Sequence, residues 1–386
     1  MNRCNFVTRS CLLMLALGVV LNGVLKLLQP QSKECRIPAI YNFGDSNSDT
    51  GSDSAAFGRA PHPNGITFFG KSAGRICDGR LIVDFIAEKL GLPLVSSYLD
   101  AIEANFQHGA NFAAFGATIQ PVDSNLYRSG ANPFSLNIQL SQFHQLKQRS
   151  HELYNIKQAK ILNTKALPRP EDFSKALYMF DIGQNDIDLL LKSMTETQAR
   201  ESLPDLINYL ALAIKNLHKG GARRFWIHNT GPFGCLPINV NRYPSNTQNF
   251  DELGCVISYN EFAQEYNRQL KEKVSDLRTT LQDSLIVYVD MYSAKHTLII
   301  DAKQNGFVDP LNYCCKDCAE SYLPYWKRQI GYETDMVFDA TSCDNPSEYI
   351  SWDGVHYTEA ANDWVASRIF NGTFSDPLLS IAESCM

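Results

Sequence analysis

The sequence lacks long runs of one charge, and no lysine–arginine cluster stands out along its 386 residues. With a formal net charge of −6, it offers no concentrated basic surface, and this argues against a nucleic-acid partner. No uncharged apolar stretch reaches the roughly 20 residues that a membrane-crossing helix needs. Internal repeats, low-complexity tracts and a convincing linker are also missing, so the expectation is one domain over residues 33–386 rather than an array. What the chain does have is 44% hydrophobic and 20% charged residues, the composition of a globular protein with a sizeable core.

The one marked apolar run, residues 11–25, is 15 residues long, follows Arg3 and Arg9, and is broken by Lys26. That is the pattern of a signal-peptide core, and residues 1–32 are read as a signal peptide. No clean small-x-small site precedes Ile37, so the cleavage point stays open, and an uncleaved anchor is the alternative. Of the 11 cysteines, Cys4 and Cys11 fall in this segment. A secretory route makes disulfides the expectation for the rest, and their odd number leaves at least one thiol free or paired with another chain. Cys235 and Cys255 flank one loop and form the first disulfide candidate. Cys314, Cys315, Cys318 and Cys343 would suit a zinc site by count, but an oxidising compartment favours disulfides there too, and no metal is expected. Asn371-Gly372-Thr373 is an N-glycosylation acceptor.

Four short segments rich in Ile, Val, Phe, Tyr and Trp read as buried strands: residues 39–43, 176–181, 224–228 and 285–289. Residues 112–117 make a weaker fifth. Helical periodicity marks residues 80–90, 136–156, 198–218 and 259–281. Strands alternating with helices predict a parallel sheet covered on both faces, a three-layer α/β/α arrangement. Ligands of such sheets bind beyond the carboxyl ends of the strands, so chemistry is sought just after each one.

After the first strand comes Gly44-Asp45-Ser46-Asn47-Ser48-Asp49-Thr50-Gly51, which places a serine hydroxyl at a tight strand-to-helix turn. After the strand at 176–181 comes Gly183-Gln184-Asn185-Asp186, and near the carboxyl terminus Trp352-Asp353-Gly354-Val355-His356. A nucleophilic serine needs a base, and an imidazole base needs a carboxylate to hold its tautomer. Asp353 and His356 supply both from one turn, with Ser46 as the candidate nucleophile.

These blocks, together with Asn111-Phe112-Ala113-Ala114-Phe115-Gly116, resemble the plant GDSL lipase/esterase family of the SGNH hydrolase superfamily. The likeness runs from about Pro38 to Ile369, and the most similar branch holds early-nodule-type proteins, acetylesterases and members named as fucosidases. It implies a flavodoxin-like sandwich with a mainly parallel five-stranded sheet and no cofactor. It also implies a Ser46–His356–Asp353 triad and an oxyanion hole from the backbone N–H of Ser46, that of Gly116 and the side-chain amide of Asn185. Gly109 competes with Gly116 for that role. Asn47 departs from the family pattern, which has Leu there. The implied protein is a secreted plant esterase of the apoplast, cell wall or vacuole, acting on small ester substrates such as acetylated glycosides. Its oligomeric state is left open, and no lasting membrane association is expected once the signal peptide is cut. A glycosidase, a transacylase and a non-catalytic binding protein are the competing readings.

Two further matches are set aside on physical grounds. Gly65-Ile66-Thr67-Phe68-Phe69-Gly70-Lys71-Ser72 fits the P-loop pattern, but the Pro-containing segment before it suits no central strand, so no nucleotide is expected. Gly70-Lys71-Ser72-Ala73-Gly74 fits a nucleophile elbow, but lacks the strand and helix that an elbow joins.

Overall fold

In the computed structural model, each long strand is five residues of largely apolar side chains. They are β1 (Ile40–Gly44), β3 (Leu177–Asp181), β4 (Arg224–His228) and β5 (Leu285–Val289), with the shorter β2 at Gly109–Asn111. The structure describes residues 36–102, 104–121, 132–156, 164–243, 249–316, 318 and 340–384. The signal-peptide expectation for residues 1–32 lies outside these.

Side chains along a strand alternate between faces, and here both faces are buried. Tyr41, Phe43, Tyr178, Phe180, Phe225 and Tyr288 project to one side. They pack beneath α3 (Leu136–Asn155), α5 (Glu196–Lys219) and α6 (Ile257–Thr280). Ile40, Leu177, Met179, Trp226, Val287 and Val289 project to the other, under α2 (Ile82–Lys89), α7 (Met291–Ile300) and α8 (Glu359–Phe370). Two shorter helices complete the frame: α1 (Ser52–Phe57) after β1, and α4 (Gln184–Ser193) after β3. These elements belong to one compact unit, Ile37–Met386.

The sheet runs β2-β1-β3-β4-β5-β6, where β6 is Ser375–Asp376. The first five strands are parallel, and β6 is antiparallel to β5 through Tyr288–Asp376 and Val289–Ser375. The central sheet is therefore six-stranded and mostly parallel, one strand more than expected; a two-residue strand carries no periodicity to read. The fifth strand also lies earlier than the expected 112–117. Its ladder covers Gly109–Asn111, although Phe112 N–H to Asn42 O (2.8 Å) and Ala114 N–H to Gly44 O (3.2 Å) carry the pairing on. Helix ends differ from the periodic reading by about a turn or less. The clearest case is α5, which begins earlier because Thr195 and Gln198 form a reciprocal capping box.

The carboxyl ends of β1 and β3 meet at Gly44 and Asp181, which are paired in register. A methyl group on Gly44 would sit 2.5 Å from both the Asp181 carbonyl oxygen and Ser48 Oγ. Gly44→Ala is accordingly expected to lower stability by about 1–3 kcal/mol, the usual cost of forcing an extra carbon into a packed site. Urea unfolding of the purified variant checks this; an unchanged midpoint would show that the strand end is looser than its contacts imply.

Candidate active site

The turn after β1 is held from three sides. Gln139 of α3 binds the Gly44 backbone reciprocally: its Oε1 accepts the Gly44 N–H (2.9 Å) and its Nε2 donates to the Gly44 carbonyl (2.8 Å). The Asp45 N–H donates to the Asp181 carbonyl at 3.0 Å, anchoring the residue before Ser46 to β3. Asp49 then closes the turn. Its buried carboxylate accepts the N–H groups of Gly51 (2.7 Å), Ser52 (2.6 Å), Asp53 (3.1 Å) and Phe115 (2.9 Å). The first three belong to the amino end of α1, and the fourth brings in the segment after β2. Asn47 uses its departure from the Leu pattern: its backbone and side-chain nitrogens both donate to Asp45 Oδ1, each at 3.0 Å.

Amide donors face this turn. Asn111 donates to the Ser48 carbonyl (2.6 Å) and to Thr50 Oγ1 (2.9 Å), tying β2 to the loop beneath Ser46. Gly116 follows Phe115 with φ +72°, in the left-handed region that favours glycine. Among the described residues, no acceptor takes the N–H of Ser46 or of Gly116. Gly109 differs, because its N–H donates to the Phe106 carbonyl at 3.1 Å and it opens β2 at the opposite end of the strand. Asn185 lies in the first turn of α4, and its Nδ2 is steadied by the Ala117 carbonyl at 2.9 Å. The neighbouring Asp186 receives the N–H groups of Ile119 and Gln120. Burial pushes its carboxyl up to about 7 despite these bonds.

Asp353 and His356 form a tight turn. His356 Nδ1 meets Asp353 Oδ2 at 2.6 Å, while Oδ1 accepts the backbone N–H of Val355 (2.9 Å) and His356 (2.8 Å). Both residues are buried. His356 Nε2 has no partner, and no hydrogen bond engages Ser46 Oγ among the described residues. The turn is braced by Trp352, whose N–H donates to the His356 carbonyl and whose indole N–H reaches Asn64 Oδ1 at 3.0 Å. Trp352 packs on Cys314, Cys315 and Cys318, where disulfides join Cys314 to Cys343 and Cys315 to Cys318.

Ser46, Asn185, Asp353 and His356 line one cavity of about 200 Å³. Gly116 is not among its lining residues, although Phe115 is, with its ring 5.9 Å from that of His356. Its lining mixes apolar side chains, Phe233, Leu236, Ile238 and Val355, with polar ones, Gln184, Asn185, Asp188, Lys192, Asn239 and Arg242. A Cys235–Cys255 disulfide anchors the segment that carries the lining residues Phe233 and Leu236. A hydroxyl, an imidazole with an unpartnered nitrogen and amide donors are the parts that acyl transfer requires. Asn371 is exposed at the end of α8. The two set-aside motifs lie elsewhere: no strand leads into Gly65, Ile66–Phe69 forms a four-residue helix inside the motif, and the Ser72 hydroxyl donates to the Ala60 carbonyl.

Sequence reasoning missed a buried charge cluster under the nucleophile turn, formed by Asp45, Asp181, His228 and Lys295. His228 Nδ1 lies 3.4 Å from Asp181 Oδ2, and Lys295 Nζ sits 4.7 Å above the Tyr357 ring. Burial, reinforced by the Asp181 charge, lifts Asp45 well above the usual carboxylate range. Burial would also raise Asp181, but His228 and Lys295 outweigh it and hold it low. Four separate segments supply these residues, so no local spacing announces them.

The GDSL-like lipase/acylhydrolase family model matches residues 40–369, and the chain belongs to that family and is a serine ester hydrolase. Curated relatives extend the match over nearly the full length. A GDSL esterase/lipase of Arabidopsis thaliana is 47% identical over 352 residues, covering 91% of this chain and 90% of that protein. The ENOD8 GDSL esterase/lipase of Medicago truncatula is 42% identical, covering 92% and 90%. A protein named alpha-L-fucosidase 3, from Arabidopsis thaliana, is 44% identical, covering 91% and 95%. A solved acetylxylan esterase of Geobacillus stearothermophilus aligns over 87% of this chain and 93% of its own, at 13% identity and TM-score 0.33, too distant to carry an argument.

Asp186 yields a test of how its buried surroundings act. Its folded pKa of about 7 lies above the unfolded carboxylate value of about 3.9. Its contribution to stability is therefore complete below pH 4 and is lost as pH rises through 7. Asp186→Asn keeps a neutral acceptor there, so the variant should gain on the wild type by up to a few kcal/mol between pH 4 and pH 8. Urea melts at several pH values measure the difference; parallel curves would show that Asp186 ionises normally.

Proposed function

We propose that this chain is a secreted carboxylic ester hydrolase that works through an acyl-enzyme on Ser46, with His356 as base and Asp353 as its orienting carboxylate. The observation that carries the reading is the 2.6 Å bond from His356 Nδ1 to Asp353, which leaves Nε2 unpartnered on a residue that lines the same cavity as Ser46. His356 takes the Ser46 proton as Oγ attacks the ester carbonyl. The resulting oxyanion is held by the N–H groups of Ser46 and Gly116 and by the Asn185 amide. As the tetrahedral species collapses, the C–O bond to the alcohol breaks and His356 returns the proton to the leaving alcohol. Water then attacks the acyl carbonyl by the same route and frees Ser46 and the acid.

The cavity is smaller than the roughly 300–1,000 Å³ of typical drug-sized sites, and this favours short acyl groups over long chains. Its polar lining residues suit a hydroxylated alcohol such as a sugar, so acetylated glycosides are the proposed substrates. Secretion is supported by the leader-like amino terminus and by three disulfides among the described residues. No described helix is long and apolar enough to cross a membrane. The fucosidase name of one relative raises a glycosidase reading, which would need two carboxylates across a sugar. Both carboxylates lining this cavity are engaged, Asp353 by His356 and Asp188 by Lys192 at 2.5 Å.

Hydrolysis of 4-nitrophenyl esters tests the proposal. Ser46→Ala should abolish turnover while the fold is kept; more than a few per cent of residual activity in clean protein would refute Ser46 as nucleophile. Asn185→Ala should lower kcat by about 10²–10³, the usual loss for one oxyanion donor, with a smaller change in KM. Across chain length, kcat/KM should be highest at acetate to butyrate, and a steady rise to sixteen carbons would indicate an acyl tunnel instead. Release of nitrophenol from the fucoside but not from the acetate would replace the esterase reading with the glycosidase.

A further inference from the structure

Charges around the cavity are unequally partnered. Lys192 is bound by Asp188 one turn away on α4, at 2.5 Å. Asp353 is committed to His356 and to two backbone N–H groups. Arg242, in the last turn of the short helix Pro237–Arg242, lines the same cavity and is exposed to solvent. Among the described residues its guanidinium has no ion pair and no hydrogen bond, unlike Arg75, Arg80 and Arg268, which are held by carboxylates; Arg36, Arg59, Arg149 and Arg169 are also without either, but they do not line this cavity. The five residues after Tyr243, Pro-Ser-Asn-Thr-Gln, bring no carboxylate. In a chain with net charge −6, Arg242 is thus a cation without an ion pair among the described residues, and it lines the same cavity as the candidate nucleophile.

A guanidinium presents a planar fork of donors that fits a carboxylate in a bidentate manner. It shares the cavity lining with the polar Gln184, Asn185 and Asn239 and the apolar Phe233, Leu236 and Ile238. The apolar residues suit an acyl group, and the polar ones suit the alcohol. We propose that Arg242 is a specificity residue that binds a carboxylate on the alcohol part of the ester, so that the preferred substrates are acyl esters of acidic sugars. This deepens the esterase reading and rests on it.

The test pairs two substrates that differ only in charge: an O-acetylated methyl uronoside with a free carboxylate, and the same compound with that carboxylate masked as a methyl ester. For the wild-type protein, kcat/KM for acetate release should be about three- to tenfold higher for the free acid, mostly through KM. An exposed charge contact is screened by salt, so the preference should shrink toward unity at about 0.5 M NaCl. Arg242→Gln should bring the ratio of the two substrates to about 1, and Arg242→Lys, which keeps the charge without the fork, should fall between. 4-Nitrophenyl acetate is measured alongside. If the wild type cleaves none of the three, the esterase reading itself fails. If it cleaves the neutral esters but shows no preference for the free acid, or if the preference survives in Arg242→Gln, the role given to Arg242 is wrong. A preference that appears with 4-nitrophenyl hemisuccinate over the acetate, and not with the uronoside pair, would move the anion to the acyl side and overturn the proposal as stated.

Discussion

One buried carboxylate organises the site. Asp49 accepts four main-chain N–H groups, three from the start of α1 and one from Phe115. Each of those groups would otherwise face the interior without a partner, and an orphaned buried donor costs about 1–3 kcal/mol. The same side chain therefore ends the turn that carries the candidate nucleophile, starts the helix after it and fixes the segment that carries Gly116. Three backbone directions are set by one side chain that is not among the residues lining the cavity.

The rest of the frame repeats that solution with other side chains. Gln139 reaches from α3 to act on Gly44 as a neighbouring strand would, giving and receiving one hydrogen bond. Asp186 gathers the amides of Ile119 and Gln120. Asn42, whose neighbours Tyr41 and Phe43 enter the aromatic core, turns to the other face and bonds Ser48 and Asn111. Covalent links serve the outer shell: one disulfide anchors the segment of Phe233 and Leu236, and two lie against Trp352, next to the Asp353–His356 turn. Polar bonds thus fix the inner loops, and disulfides fix the loops farther from the sheet.

How much of this can be read along the chain follows from range. The strands and main helices were legible because periodicity is local, and the blocks around Ser46, Asn185 and Asp353–His356 were legible because each follows a strand or forms a single turn. All four of those residues line the cavity. The strand at Gly109–Asn111 was misplaced by a few residues, since its apolar continuation pairs with β1 without keeping a regular ladder. Gln139, His228 and Lys295 were invisible because their partners are far away in sequence and no spacing relates them. Arg242 was invisible for a different reason: that it lines the cavity without an ion pair among the described residues is seen only in the assembled site.

The indole bond from Trp352 to Asn64 joins residues 288 positions apart, close to the span that separates the serine turn from the histidine turn. Few contacts in the chain are more non-local, and such contacts form late because the loop between them must first be closed. During synthesis, the five parallel strands emerge before the turn that carries His356. A chain that stopped short of that turn would also lack α8, which covers one face of the sheet, and the edge strand β6. The candidate histidine turn and the last cover of the core thus arrive together, so the proposed chemistry and the closing of the fold depend on the same stretch of chain.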